Sequence, residues 1–383
     1  MMEAGYSRKV HYTAVLIKNV YQMALGILVW WLVGYAFALG DKVQGGFIGK
    51  WQFAGDAWQD TDRYLDAAKF GFYGMIVVFS VNIPLVERIQ LPVQMLYTAL
   101  IMGFIYPVVV NWAWNGGWLS TAVEDGVAYQ DFGGCSVIHD LAGAFAIPAI
   151  FIAGRRHHYP KEADFTAASF PLATAGLYFF AIGQFMISMT GGSTLIYKGE
   201  ALWNSWLSGG ACCLVVTIFG TLLDKGFPWH HIASLQGFMA GVIAVSATAA
   251  NTEGWDAFCI GWFTAIFVTI VLRLEHAFHV DDPANNIAWQ FIPGFAGTIL
   301  CGFFDQTKGV FHHGDGKFLG VQTVGAVVIM GWGLFFSLPI FLIPRVAGIL
   351  RISKEVQEEG IIHAAVSWCG YSKHVKKPEE QAA

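Results

Sequence analysis

Two polar side chains stand where polar side chains are costly. His139 lies a few residues into the apolar run 137–153, and Gln290 lies at a similar depth in the run 287–304. A strongly polar residue inside hydrocarbon is expensive and usually faces a bundle interior or an ion pathway. An imidazole accepts and passes a proton near neutral pH. A carboxamide donates and accepts hydrogen bonds but does not titrate there. A packed histidine bonded to a backbone carbonyl is the plainer alternative for His139. Asp131, a short way before the same run, has the position of a buried carboxylate capping the helix start.

Other reactive residue types form no constellation. The adjacent pairs His157-His158, His230-His231 and His312-His313 are expected in loops; neighbours on a helix diverge, and no HExxH motif is present. The six cysteines, Cys135, Cys212, Cys213, Cys259, Cys301 and Cys369, contain no CxxC pair and fall mostly within apolar runs, as small packing residues do. There is no nucleophile elbow, no glycine-rich phosphate loop and no carboxylate pair beside a base. The expectation is a non-enzyme without cofactor or metal. A net charge of −5 with no basic stripe speaks against nucleic acid. The acidic segment 56–66 reads as a solvated loop.

These polar residues must be held by a membrane bundle. The chain is 55% hydrophobic and only 13% charged, against roughly 25% charged for an ordinary soluble domain. Ten apolar runs recur, at 13–39, 69–89, 91–113, 137–153, 168–190, 203–223, 232–250, 254–274, 287–304 and 319–346, and a spanning helix needs about 20 such residues. Barrel strands would show short segments of alternating polarity instead. The fold class is therefore all-α and polytopic. The 15 Trp and 31 Phe suit interfacial belts and lipid-facing surface. Gly237-Phe-Met-Ala-Gly241 and Gly294-Phe-Ala-Gly297 point to close helix contacts.

Counting Lys and Arg on alternate sides gives fourteen on the side of both termini and seven on the other. Both termini are thus expected in the cytoplasm of a multi-pass cell (inner or plasma) membrane protein. The first span is too long for a signal-peptide core and is expected to remain as an anchor. One membrane domain, 1–346, precedes a cytoplasmic tail, 347–383, in which Ile349, Ile352 and Val356 predict an amphipathic helix over 349–359. Runs four and nine look related: each has an aspartate-containing approach (Asp131; Asp281-Asp282), then a hydrogen-bonding residue (His139; Gln290), then small residues. Weak similarity between halves is what an inverted-repeat transporter leaves in sequence.

The segments Trp114-Asn-Gly-Gly-Trp-Leu119, Asp131-Phe-Gly-Gly134 and Val137-Ile-His139 closely resemble the signature of the ammonium transporter family of Amt, Mep and Rh proteins. Further matches are Glu3-Ala-Gly5 with Arg8-Lys9, Leu85-Val-Glu-Arg-Ile89, Ser234-Leu-Gln-Gly-Phe-Met-Ala-Gly241, Asp281-Asp-Pro283, and the tail from Gly348 through Gly360. The resemblance runs nearly end to end. It implies a homotrimer with a narrow pore in each subunit and an inverted-repeat bundle of about ten spans, the family's first helix being missing.

The resemblance also implies roles. Trp114 matches a vestibule tryptophan and Tyr73 a gate phenylalanine, where a small cation is collected by cation–π attraction. Asp131 matches a carboxylate that stabilises the cation indirectly. His139 matches the first of two pore histidines, and Gln290 stands where the second is expected. The second gate segment is altered: Gly183-Gln-Phe-Met-Ile-Ser188 includes Phe185 and puts Ile187 at the gate, with Gly191 or Ser193 at a vestibule serine. If paired imidazoles relay a proton, replacing one breaks the relay while binding survives. The expected function is an ammonium sensor that couples binding of the ammonium ion to a cytoplasmic signalling domain or regulatory protein through its tail, with impaired transport. The alternative is an ammonium transporter using His139 alone.

Overall fold

The computed structural model describes residues 1–44, 46–56, 58, 61–121, 126–157, 169–191, 194–224 and 230–360. In lipid each spanning segment must satisfy its own backbone hydrogen bonds, and the apolar runs do so as helices. In chain order these are a short α1 (Met2–Tyr6), then α2 (Lys9–Leu39), α3 (Thr61–Asn82), α4 (Leu91–Trp114), α5 (Cys135–Ala153), α6 (Phe170–Ser188) and α7 (Leu195–Asp224). There follow α8 (His230–Val245), α9 (Gly254–Ala277), α10 (Ile287–Phe304), the single-turn α11 (Val310–His313), α12 (Lys317–Val346) and α13 (Lys354–Glu359). Among the described residues nine helices are long and apolar enough to cross a bilayer, and α8 adds a shorter apolar one. A small antiparallel hairpin, β1 (Lys42–Gln44) and β2 (Ile48–Lys50), follows α2.

Each of the ten expected runs holds one of these helices. The seventh stops at Val245 rather than continuing to 250. There the chain turns so that Thr248 and Asn251 donate to the buried Asp305 carboxylate at 2.9 Å. His230-His231 open α8 instead of lying in a loop, and His312-His313 fall in α11, with His312 Nε2 3.0 Å from Asp256. His158, Ser193 and Cys369 lie outside the described residues.

Exposed apolar side chains such as Leu16, Val20, Phe72, Phe179 and Leu222 face outward, as a lipid-contacting surface requires. Charge inside α2 is neutralised locally: Lys18 pairs with Glu3 of α1, which also accepts from Asn19. Because lipid is as apolar as the side chains, the bundle is held by close packing and internal hydrogen bonds. The α5–α10 contact is one expression of this. A Cβ added at Gly143 would lie 2.5 Å from the Cα of Phe291, and one at Gly294 would meet the backbone nitrogen of Asp140. Only glycine lets these two backbones cross so closely.

Both crossing helices begin irregularly. The first turn of α5, Cys135–Asp140, is a π-turn, as is the first turn of α10, Ile287–Phe291. Such turns re-aim side chains and are frequent at functional sites. One carries His139 and the other Gln290. Since α10 begins beside the end of α5, where Arg156 pairs with Asp281, the helices run antiparallel and bring these two residues together from opposite directions.

Candidate functional site

Asp131 anchors the start of α5. Its carboxylate accepts backbone hydrogen bonds from Cys135 (2.8 Å), Ser136 (2.9 Å) and Val137 (3.0 Å). These are orphan amides that a helix start leaves without partners. Burial pushes the Asp131 carboxyl up to about 6, against the pull of the Val137, Cys135 and Ser136 amides. Asp282 repeats the device at α10, accepting from Ala284 and Ile287. From Asp131 to His139, and from Asp282 to Gln290, the spacing is eight residues in both cases. The two halves are built on one plan, with an imidazole in one and a carboxamide in the other.

At the crossing, His139 Nδ1 lies 2.5 Å from Gln290 Oε1. The other ring nitrogen, Nε2, lies 2.9 Å from Oε1 of Gln184, a residue of α6. Gln184 Nε2 donates to the Gly133 carbonyl at 3.1 Å, and Gln290 Nε2 is 3.2 Å from Ser80 Oγ of α3. His139 and Gln290 are wholly buried, and Gln184 and Ser80 nearly so. The Phe180 ring packs edge-on against the imidazole, centroids 6.0 Å apart, and Trp289 packs in turn on Phe180 at 5.6 Å. Four helices thus meet in a buried polar chain with Phe180 at its side.

Toward the α5 start lies an aromatic group. Trp114 donates its indole N–H to the Asp131 carbonyl at 2.6 Å and packs against Tyr73 (6.3 Å) and Phe70 (5.5 Å). Ile187 is buried in the same cluster, and the Tyr73 hydroxyl lies 3.2 Å from Thr190. Lys69 places its ammonium 4.7 Å from the Phe70 ring centroid, so the chain brings its own cation to this face. Phe185 does not join the group. It packs on Trp206 and Phe238, away from Tyr73 and Trp114.

Sequence reasoning missed Gln184 and Ser80. Gln184 is the sole carboxamide between Phe170 and Ser188, and the cost of a polar side chain within a span singles it out. Ser80, one hydroxyl among several, carries no such signal. Among the described residues no group of three or more His, Cys, Asp and Glu could hold a metal ion.

On the face shared by the N-terminal segment and the tail, the tail is docked. The stretch expected as one helix over 349–359 is extended before Ser353 and helical only from Lys354 to Glu359. The reason is long-range pairing: Gln90 N–H donates to the Leu350 carbonyl and Ile352 N–H to the Arg88 carbonyl, both at 3.0 Å. Gln357 donates to the Glu87 carbonyl at 2.8 Å, and its own carbonyl accepts from Arg8. Arg351 donates to the carbonyls of Ala153 (2.9 Å) and Arg155 (2.7 Å) at the end of α5. Buried Arg88 donates to Gly154 at 2.7 Å and lies 3.6 Å from Asp281. Burial lowers the Arg88 guanidinium to about 10, with Asp281 opposing the shift. Burial would raise Asp281, but the guanidinium groups of Arg156 and Arg88 hold it below the usual carboxylate range. A continuous set of ion pairs and hydrogen bonds thus joins the tail to the end of α5 and the start of α10.

A sequence model of the ammonium transporter family matches residues 1–366. The chain is 27% identical over 406 residues to the ammonium transporter Amt2 of Archaeoglobus fulgidus, covering 96% of this chain and 84% of that protein. It is equally 27% identical over 402 residues to ammonium transporter 1 member 1 of Arabidopsis thaliana, with coverage of 94% and 79%. Among solved structures it superposes on a sensor Amt protein with a TM-score of 0.83 at 23% identity, covering 94% of this chain and 91% of the other. Mep2 of Candida albicans gives a TM-score of 0.80 at 21% identity, with coverage of 92% and 82%. At these identities the structural likeness carries the fold alone.

Proposed function

We propose that this chain, which belongs to the ammonium transporter family, binds ammonium at the His139 crossing and reports occupancy through its docked tail, with little conduction. The observation that carries this reading is the pairing of His139 with Gln290. A relay of protons through the crossing needs a second group that titrates, and a carboxamide is not one. Recognition of ammonium, which donates and cannot accept, needs only acceptors, and the carboxamides of Gln184 and Gln290 bring oxygens to the crossing. Lys69 beside Phe70 adds a fixed positive charge where an incoming cation would be collected. The names of the curated relatives favour transport instead. In that second reading His139 alone serves the pore.

A ligand shifts a conformational equilibrium only by its differential affinity for the two states. Ammonium near His139 must therefore prefer one arrangement of α5 and α10, and the Arg351, Arg88 and Asp281 contacts are placed to carry that preference to the tail. Spin labels at Glu355 on α13 and Phe278 after α9 should show a distance distribution that changes with ammonium and not with sodium. The change should vanish in Arg351→Ala, which removes the donors to Ala153 and Arg155. An identical distribution with and without saturating ammonium would remove the sensor reading. Assembly as a homotrimer in a cell membrane, with both termini cytoplasmic, is part of the same proposal.

A further inference from the structure

The direction of every hydrogen bond around His139 can be worked out from one fixed point. The Gly133 carbonyl can only accept, so the Gln184 group facing it is the NH2, and the oxygen of Gln184 must face His139. An oxygen at 2.9 Å from a ring nitrogen requires a proton on that nitrogen, so neutral His139 carries its proton on Nε2. Nδ1 is then an acceptor and needs a donor. Gln290 supplies one if its NH2 is turned to the ring and its oxygen to Ser80, whose hydroxyl donates as readily as it accepts. The two ends of a carboxamide are nearly isosteric, so this orientation follows from the bonding pattern. With it, Ser80, Gln290, His139, Gln184 and Gly133 form one continuously satisfied chain.

In this chain both nitrogens of His139 are engaged, while the Gln184 oxygen keeps a second lone pair. We propose that Gln184 is the third member of the ammonium site: its oxygen accepts from the bound ion, and its fixed amide holds His139 in the Nε2–H tautomer. The inference rests on ammonium binding at the crossing and adds the residue that specifies it. It also explains recognition without proton transfer. An imidazole whose Nδ1 lone pair is occupied by Gln290, and whose Nε2 already bears a proton, has no vacant position for a proton from the ion. Gln184 acts through the His139 ring as a positioning residue and on the ion directly as an acceptor.

The test uses the full chain in detergent or nanodiscs. Nitrogen-15 spectra of the histidine rings, with His139 assigned by difference from His139→Ala, should show a protonated Nε2 and a bare Nδ1 in the wild type. In Gln184→Leu and in the more nearly isosteric Gln184→Met, the Nδ1–H form should become populated. Ammonium affinity by calorimetry should fall at least tenfold in both variants, each checked for an unchanged melting profile. A wild-type His139 protonated at Nδ1 overturns the proposal, as does a folded Gln184→Met that binds ammonium as tightly as wild type or more tightly. A wild type that binds no ammonium overturns it together with the proposed function, whereas unchanged binding in Gln184→Met overturns it alone.

Discussion

His139→Ala is expected to weaken ammonium binding by about a hundredfold. The ring's Nε2–H fixes the Gln184 oxygen that accepts from the ion; a hydrogen bond to a charged group is worth about 1.5–3 kcal/mol net, and each 1.4 kcal/mol is about tenfold in affinity. Removing the ring also leaves the Gln184 oxygen and the Gln290 amide facing each other across a buried gap with their shared partner gone. A buried polar group left unpaired costs about 1–3 kcal/mol. The variant should therefore lose stability as well as affinity. Calorimetric titration with ammonium chloride, against sodium chloride as a blank, reads the affinity. Unchanged affinity in a folded His139→Ala would place the ammonium site elsewhere.

The second large effect belongs to Asp131. Its two oxygens take three backbone amides at the start of α5, so Asp131→Ala orphans all three inside the protein. Set against the relief of burying one carboxylate fewer, the expected net loss is about 3 kcal/mol. A thermal melt would show it as a lowered midpoint. The π-turn that aims His139 should loosen with it, and ammonium affinity should fall. Asp131 also predicts a pH dependence. Its folded carboxyl, pushed up to about 6 by burial, lies above the unfolded value of about 4. Its titration thus contributes stability below about pH 4 that is lost as pH rises through 6. Cation binding runs the other way: the carboxylate is charged only above about 6, so affinity for ammonium should rise through that pH. A flat profile between pH 5 and 7 would show that Asp131 does not act on the ion.

Much of this architecture is legible in the sequence because membrane insertion imposes a local rule. Ten long apolar runs mark ten helices, and polar residues inside them, His139 and Gln290, mark the crossing. The repeated interval of eight residues from Asp131 to His139 and from Asp282 to Gln290 is visible too, once the aspartates are seen as caps. Gln184 obeys the same rule for intramembrane polar residues, but the altered segment around Ile187 draws attention to the gate and away from it. Other features depend on contacts distant in the chain. The tail's helical periodicity over 349–359 is real, yet backbone pairing with Arg88 and Gln90 pulls its first half into an extended form. Phe185 turns toward Trp206 because α7 and α8 offer it an aromatic pocket, and nothing local announces that pocket.

Binding without conduction is the claim on which the rest depends. Purified protein should be divided between two measurements: calorimetric ammonium binding in detergent, and ammonium-driven current on a solid-supported membrane after reconstitution. An intact-pore member of the family serves as the flux reference. The account predicts saturable ammonium binding that is absent with sodium, together with current below about a tenth of the reference, the loss expected when a step is made worse by at least about 1.4 kcal/mol. Current comparable to the reference from the same preparation would contradict it and establish His139 alone as sufficient for transport.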